Sequence, residues 1–268
     1  MKKRFVWRGI LALTTVLAFA VLGRAQAPGA GGARGNAPAP NAAAAQGRGG
    51  GGGPIAGPPH DAHDLNGVWN LRGFAGGGGF GGTGAKLTTW GQDLFKSAKS
   101  SNSGQYTLSE TNDPVITKCF PPGVPRIYLQ PFPWQIVQAA KETLLIYEYD
   151  HTVRHVFTDG RKHPEEVTLT YMGDSTGRWD GDTFVVDTIG FNEKTWLDRV
   201  GTGHSDQLHV IERFHRVNLN DLELDVTMED AKALAAPWNV HMQVQLHPEW
   251  AIQEQVCTDN GDFLNFEK

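Results

Sequence analysis

The sequence predicts a mostly β fold: an antiparallel barrel or a strongly curved sheet, with one short helix and a proline-rich strap. Three observations carry that prediction. Trp238 to His247 alternates strictly, with Trp238, Val240, Met242, Val244 and Leu246 on one face and Asn239, His241, Gln243, Gln245 and His247 on the other. Leu222 to Glu229 repeats the pattern, setting Leu222, Leu224, Val226 and Met228 against Glu223, Asp225, Thr227 and Glu229. Asp180-Gly181 stands between two β-rich runs, Gly177 to Asp180 and Asp182 to Ile189, which is a hairpin signal. Successive strand side chains point to opposite faces, so a period of two means one dry face and one wet one.

The elements follow in order. Lys2, Lys3, Arg4 and Arg8 precede an uncharged run from Ile10 to Leu22, and Gly23 and Ala25 come next. That is the layout of a Sec-type signal peptide, residues 1–25 with cleavage after Ala25; its apolar run is short for a membrane span. A secreted or periplasmic location follows. Residues 26–59 are Gly, Ala, Pro and Asn with two arginines, a segment too poor in large apolar groups to offset its ordering entropy. It reads as a disordered linker. Residues 60–268 then form one β-rich globular domain.

Within that domain Thr88 to Ala98 is the best helix, with Trp90, Leu94, Phe95 and Ala98 on one face and Thr88 or Thr89 as cap. Cys119 to Trp134 carries Pro121, Pro122, Pro125, Pro131 and Pro133; lacking donors, it is expected to lie as an extended strap over the domain. Strands are expected at Ile136 to Ala140, Thr143 to Tyr149, Val153 to Phe157, Leu208 to Val217 and Ile252 to Cys257. That makes about eight short strands joined by hairpins.

Charge and cysteines exclude several functions. The chain has 24 Lys and Arg against 29 Asp and Glu. Five of the basic residues and no acid lie in 1–25, and Arg34 and Arg48 lie in the linker, so 60–268 holds 17 against 29, a net −12. Such a domain disfavours nucleic acid and anionic membranes as partners. The Gly76 to Gly82 cluster lacks the Gly-Lys-Ser/Thr ending of a phosphate loop, and no cofactor is implied. Cys119 and Cys257 are the only cysteines, and an oxidising compartment predicts one disulfide between them.

Two resemblances bear on the fold. Asp64-Leu65-Asn66-Gly67-Val68-Trp69 resembles the Gly-x-Trp opening strand of lipocalin-like barrels, which implies a tryptophan closing the barrel floor. Cys119 to Arg126, Asp159 to Pro164, Gly173 to Gly190, Glu212 to Arg216 and Val256-Cys257 are similar to a large family of secreted soil-bacterial proteins of uncharacterised activity. That resemblance spans most of the domain and implies compartment and domain limits, with no activity to transfer.

Chemistry is less legible. Gly173-Asp174-Ser175-Thr176-Gly177 has the spacing of a nucleophile elbow, but a strand and hairpin follow where the elbow needs a helix. Ser175 is therefore expected to be a turn serine. Ten histidines include no His-Glu-x-x-His, and no metal is expected. Glu212 shares its phase with Leu208, Val210 and Phe214, and Glu254 with Ile252 and Val256, so both carboxylates are expected on apolar faces. Paired acids in a cavity suit glycan cleavage; the structural alternative is a salt bridge to Arg216, Arg154 or Arg126. Trp134, Trp179, Trp196, Trp238 and Trp250 are many for this length, and those facing solvent could stack on sugar rings, with core packing as the alternative. The leading expectation is a binding protein for a small or glycan-like ligand in a barrel cavity, contacted by Arg126, Arg154, Trp134, Trp179 and His241. The alternatives are a carboxylate-based enzyme using Glu212 and Glu254, and a non-catalytic interaction domain with a filled core.

Overall fold

The computed structural model describes residues 59–72, 79–80 and 84–257. The expected signal peptide (1–25), the expected linker (26–59) apart from Pro59, and most of the Gly76 to Gly82 cluster lie outside the described residues. Among the described residues, nine strands close into a barrel: β1 (Gly67–Leu71), β2 (Trp134–Gln138), β3 (Glu142–Tyr147), β4 (Val153–Phe157), β5 (Asp174–Asp180), β6 (Thr183–Ile189), β7 (His209–Arg216), β8 (Asp221–Glu229) and β9 (Trp238–Leu246). The mostly β, lipocalin-like prediction holds.

The alternating runs do what their period requires. Along β8, Leu222, Leu224, Val226 and Met228 are buried; along β9, Trp238, Val240, Met242 and Val244 are buried while His241 and Gln243 are exposed. The register pairs Leu224 with Met242 and Val226 with Val240, so both apolar faces enter one interior. Trp69 is fully buried there, and its indole N–H donates to the Leu65 carbonyl at 2.9 Å. Between β5 and β6, Asp180 pairs with Thr183, so the turn residues are Gly181 and Asp182. Gly181 has φ 57°, the left-handed value that the first position of a tight hairpin turn needs.

Three expectations need correction. The barrel is not wholly antiparallel, because β5 runs parallel to β4. The connection 158–173 carries the chain back along the outside of the wall, the long crossover that a parallel pair requires. His163 anchors this crossover: its Nδ1 lies 2.6 Å from Asp174 and its Nε2 lies 3.1 Å from Asp187. His209 Nε2 meets the same Asp187 oxygen at 3.1 Å and its Nδ1 faces Glu229 at 3.3 Å. These pairs run along the outer wall as a row. Among the described residues no group of three His, Cys, Asp or Glu side chains is arranged to hold a metal ion.

The proline-rich segment is not a strap over the outside. Its tight turn Arg126–Leu129 is buried at all four residues. Tyr128 enters the barrel and stacks edgewise on Trp134, Tyr147 and Phe214, with ring centroids 5.1, 5.9 and 6.5 Å away. A segment poor in backbone donors can fill the mouth because it has few groups for a sheet to satisfy.

Ile252 to Cys257 is not a strand. β9 already pairs with β8 on one side and β1 on the other, so no edge is left for a tenth strand. The segment instead crosses to the mouth, where Cys257 bonds Cys119 with Cα atoms 5.6 Å apart.

Helix α1 (Thr89–Ser97) is capped by the Thr88 hydroxyl, which accepts from the Gly91 N–H at 3.1 Å. Gly91 lets the helix lie on the chain at Ala233, since a Cβ there would stand 2.2 Å from the Ala233 carbonyl oxygen. A short helix, α2 (Pro114–Thr117), precedes the plug. No described helix is long and apolar enough to cross a membrane.

Candidate functional site

The centre of the barrel holds a polar network, beside which the buried Trp134 indole N–H has no hydrogen-bond partner. Arg154 on β4 donates to Glu212 on β7 twice, Nη1 to Oε1 at 3.0 Å and Nη2 to Oε2 at 2.5 Å. Its Nε donates to Ser175 at 3.0 Å and its Nη2 to Thr188 at 2.7 Å. The Tyr128 hydroxyl donates to Glu212 Oε1 at 2.6 Å, and the Tyr147 hydroxyl donates to Tyr128 at 3.2 Å. All six residues are buried. Burial, followed by the Glu212 charge, pushes the Tyr128 hydroxyl well above its ordinary pKa; burial takes Tyr147 to about 12. Both tyrosines are therefore neutral donors at any physiological pH. Ser175 is not the turn serine expected: it is buried inside β5, where its hydroxyl accepts from Arg154.

The other residues singled out in the sequence lie apart from one another. Trp134 is 1% exposed and packs inside the barrel. Trp179 is half-buried against Phe184 and stacked on His63 at 4.2 Å. His241 lies on the outer wall, paired with Asp225 at 2.7 Å. Glu254 is not on an apolar strand face as expected: the segment after β9 is not a strand and leaves this side chain exposed, whereas Glu212 is enclosed.

Arg126 sits at the mouth, 1% exposed, ion-paired with the fully buried Asp113. The other oxygen of Asp113 accepts from the Val115 N–H at 3.0 Å, capping α2. The Arg126 Nε and Nη1 have no hydrogen-bond partner. The Trp196 ring covers this guanidinium, 5.5 Å away. Burial raises the nearby Tyr149 hydroxyl to about 12, against the opposing pull of the Arg126 charge.

Beside this mouth the connection between β6 and β7 forms a cleft of about 200 Å³ with α1 and α2. Its wall is apolar at Leu94 and Trp196, its rim carries Lys118 and Lys194, and Thr195 and His204 lie among its lining residues. The loop is rigidly built. Asp198 Oδ1 accepts from the N–H groups of Val200, Gly201 and Thr202 at 3.0, 2.9 and 3.0 Å, and Oδ2 accepts the Thr202 hydroxyl at 2.6 Å. Trp196 bridges Gly203 across the loop. Asp230 holds the next turn, accepting the Ser205 N–H at 2.6 Å and its hydroxyl at 2.8 Å.

These anchors orient a hydroxyl–imidazole pair. His204 Nδ1 lies 3.0 Å from the Ser205 carbonyl, which can only accept, so Nδ1 carries the proton. Burial lowers the His204 pKa and keeps the ring neutral. Its Nε2 then accepts from the Thr195 hydroxyl at 3.1 Å. The Thr195 oxygen is left with lone pairs and no proton to offer.

The sequence reading did not single out Lys118, Lys194, Thr195 or His204. The available signal was length: the connection between Ile189 and His209 runs 190–208, and connections longer than about 12–15 residues are uncommon and usually functional. No protein-family model, curated protein or solved structure matches the chain.

Proposed function

We propose that this chain is a secreted small-molecule binding protein whose ligand seat is the cleft between α1, α2 and the β6–β7 loop, not the barrel interior. The observation that carries the reading is a contrast. The barrel centre is occupied by the interlocked Arg154, Glu212 and Tyr128, whose polar groups satisfy one another. The cleft pairs apolar walls with a few polar groups on a braced loop, the usual make-up of a small-ligand site. The disulfide and the basic-then-apolar start of the chain support export. The filled barrel centre also favours a second reading, a non-catalytic interaction domain in which the cleft stays unused.

A thermal-shift screen with a panel of monosaccharides and sugar acids tests the choice. Binding to the native state raises the melting temperature in proportion to ligand occupancy. Ser97→Trp places an indole over the cleft from an exposed position of α1. The binding reading expects a shift in the parent chain that is absent in Ser97→Trp. A shift that survives the substitution moves the seat elsewhere, and no shift with any probe favours the interaction domain.

A further inference from the structure

Three features of the cleft narrow its ligand. The first is charge. Lys118 and Lys194 line it; among the described residues neither forms an ion pair, and the Lys118 Nζ has the Phe120 ring 5.5 Å away as its neighbour. Glu193, the acid among the lining residues, is tied to Lys232 at 3.1 Å. The rim is thus positive on a domain with 17 basic against 29 acidic residues. A local reversal of sign attracts an anion that the rest of the surface repels.

The second feature is hydrogen-bonding direction. The Thr195 proton is committed to His204, whose own proton is committed to the Ser205 carbonyl. Thr195 therefore presents an acceptor, and a bare anion has nothing to give it. A ligand hydroxyl does.

The third is shape. The indole of Trp196 offers an apolar surface beside Leu94, and the guanidinium of Arg126 braces that ring at 5.5 Å. Flat aromatic surfaces suit the C–H face of a sugar ring. About 200 Å³ is below the volume that drug-sized ligands occupy, which fits a ligand of one ring.

We infer that the ligand is a hydroxylated carboxylic acid of single-ring size, a uronic acid: its carboxylate at Lys118 and Lys194, a hydroxyl donating to Thr195, its ring on Trp196. This rests on the proposal that the cleft is the binding seat.

Calorimetric titration of the full chain with glucuronate, glucose, acetate and inorganic phosphate separates the two claims. The expected result is glucuronate binding at least tenfold tighter than each of the other three, weakening as salt rises. Lys118→Ala combined with Lys194→Ala should lower glucuronate affinity at least tenfold and leave glucose unaffected. Both lysines are exposed, so the double variant should keep the parent's melting temperature. Thr195→Val should weaken glucuronate and leave acetate unchanged. Glucose binding as tightly as glucuronate, lost in Ser97→Trp, would overturn the acid while leaving the cleft as the seat. Acetate or phosphate matching glucuronate would mean a plain anion site and would also overturn it, as would a double lysine variant that binds glucuronate unchanged or no heat with any probe.

Discussion

Arg154 on β4 and Glu212 on β7 meet in the middle of the barrel through two guanidinium–carboxylate hydrogen bonds, 3.0 and 2.5 Å long. Glu212→Gln leaves the buried arginine without its countercharge. The expected loss is about 3–5 kcal/mol, read as a fall in the urea midpoint. Removing both charges behaves differently. With Arg154→Met and Glu212→Leu, Ser175 and Thr188 still share a hydrogen bond at 3.1 Å, and Tyr128 still accepts from Tyr147 at 3.2 Å, although its own proton loses the Glu212 carboxylate. That double variant should be clearly more stable than Glu212→Gln, because no buried charge is left without its partner.

Tyr128 tests the plug. Tyr128→Phe removes a hydrogen bond to a charged acceptor and should cost about 1.5–3 kcal/mol. Tyr128→Ala also empties the space among Trp134, Tyr147 and Phe214, and should cost about 3–5 kcal/mol. Equal midpoints for the two variants in chemical denaturation would show that the ring fills nothing.

The same burial gives an alkaline signature. Tyr128, Tyr147 and Tyr149 all have raised pKa values, so three of the chain's five tyrosines keep their protons in the folded state beyond the ordinary tyrosine range. A raised folded pKa gives stability that is complete below the unfolded value, about 10, and is lost as pH rises through the folded one. At about pH 11 the native chain should show no more than two tyrosinates by absorbance, and unfolding at that pH should release the rest.

His204 acts in the opposite direction. Its folded pKa is lowered, so the unfolded chain takes up the proton first as pH falls. Its contribution is present above the unfolded value, about 6.5, and is lost as pH drops toward the folded one. Stability should decline below about pH 6.5, and His204→Gln should flatten that decline in denaturation midpoints taken across the acid range.

The disulfide spans 138 positions. In the chain-entropy model a closed loop of that size stabilises by about 5 kcal/mol, the upper end of the usual range. Cys119→Ala with Cys257→Ala should lower stability by about 2–5 kcal/mol. Thiol titration of the unfolded, unreduced chain should find no reactive thiol.

The parts of this fold that were readable from sequence are those whose signal is local. β7, β8 and β9 declare themselves by alternation, β5 and β6 by Asp180-Gly181, and α1 by its spacing and its cap at Thr88. What escaped depends on partners distant in the chain. Ile252 to Val256 looks like a strand until β1 takes the edge of β9. The prolines around Arg126 exclude a central strand but do not say which surface of the barrel they cover. Glu212 was rightly expected inside, yet its partner came from β4, and nothing in a period of two chooses Arg154 over Arg126 or Arg216. The cleft was invisible for the same reason. Lys118, Thr195 and His204 gain meaning when Asp198 and Asp230 fold the loop beneath α1.

The count of strands carries a consequence of its own. A closed ring with an odd number of members cannot alternate direction all the way round, so nine strands oblige at least one neighbouring pair to run the same way. β4 and β5 are that pair, joined by two registered positions, Val156 with Ser175 and Phe157 with Thr176, where β7 and β8 share eight. Parity thus gives the barrel a seam. The Arg154 Nε crosses it to Ser175 at 3.0 Å, and Glu212 holds the same guanidinium from the far wall. The central ion pair is therefore also a clasp, and the amides of β4 and β5 should be the first in the ring to exchange with solvent when it is cut.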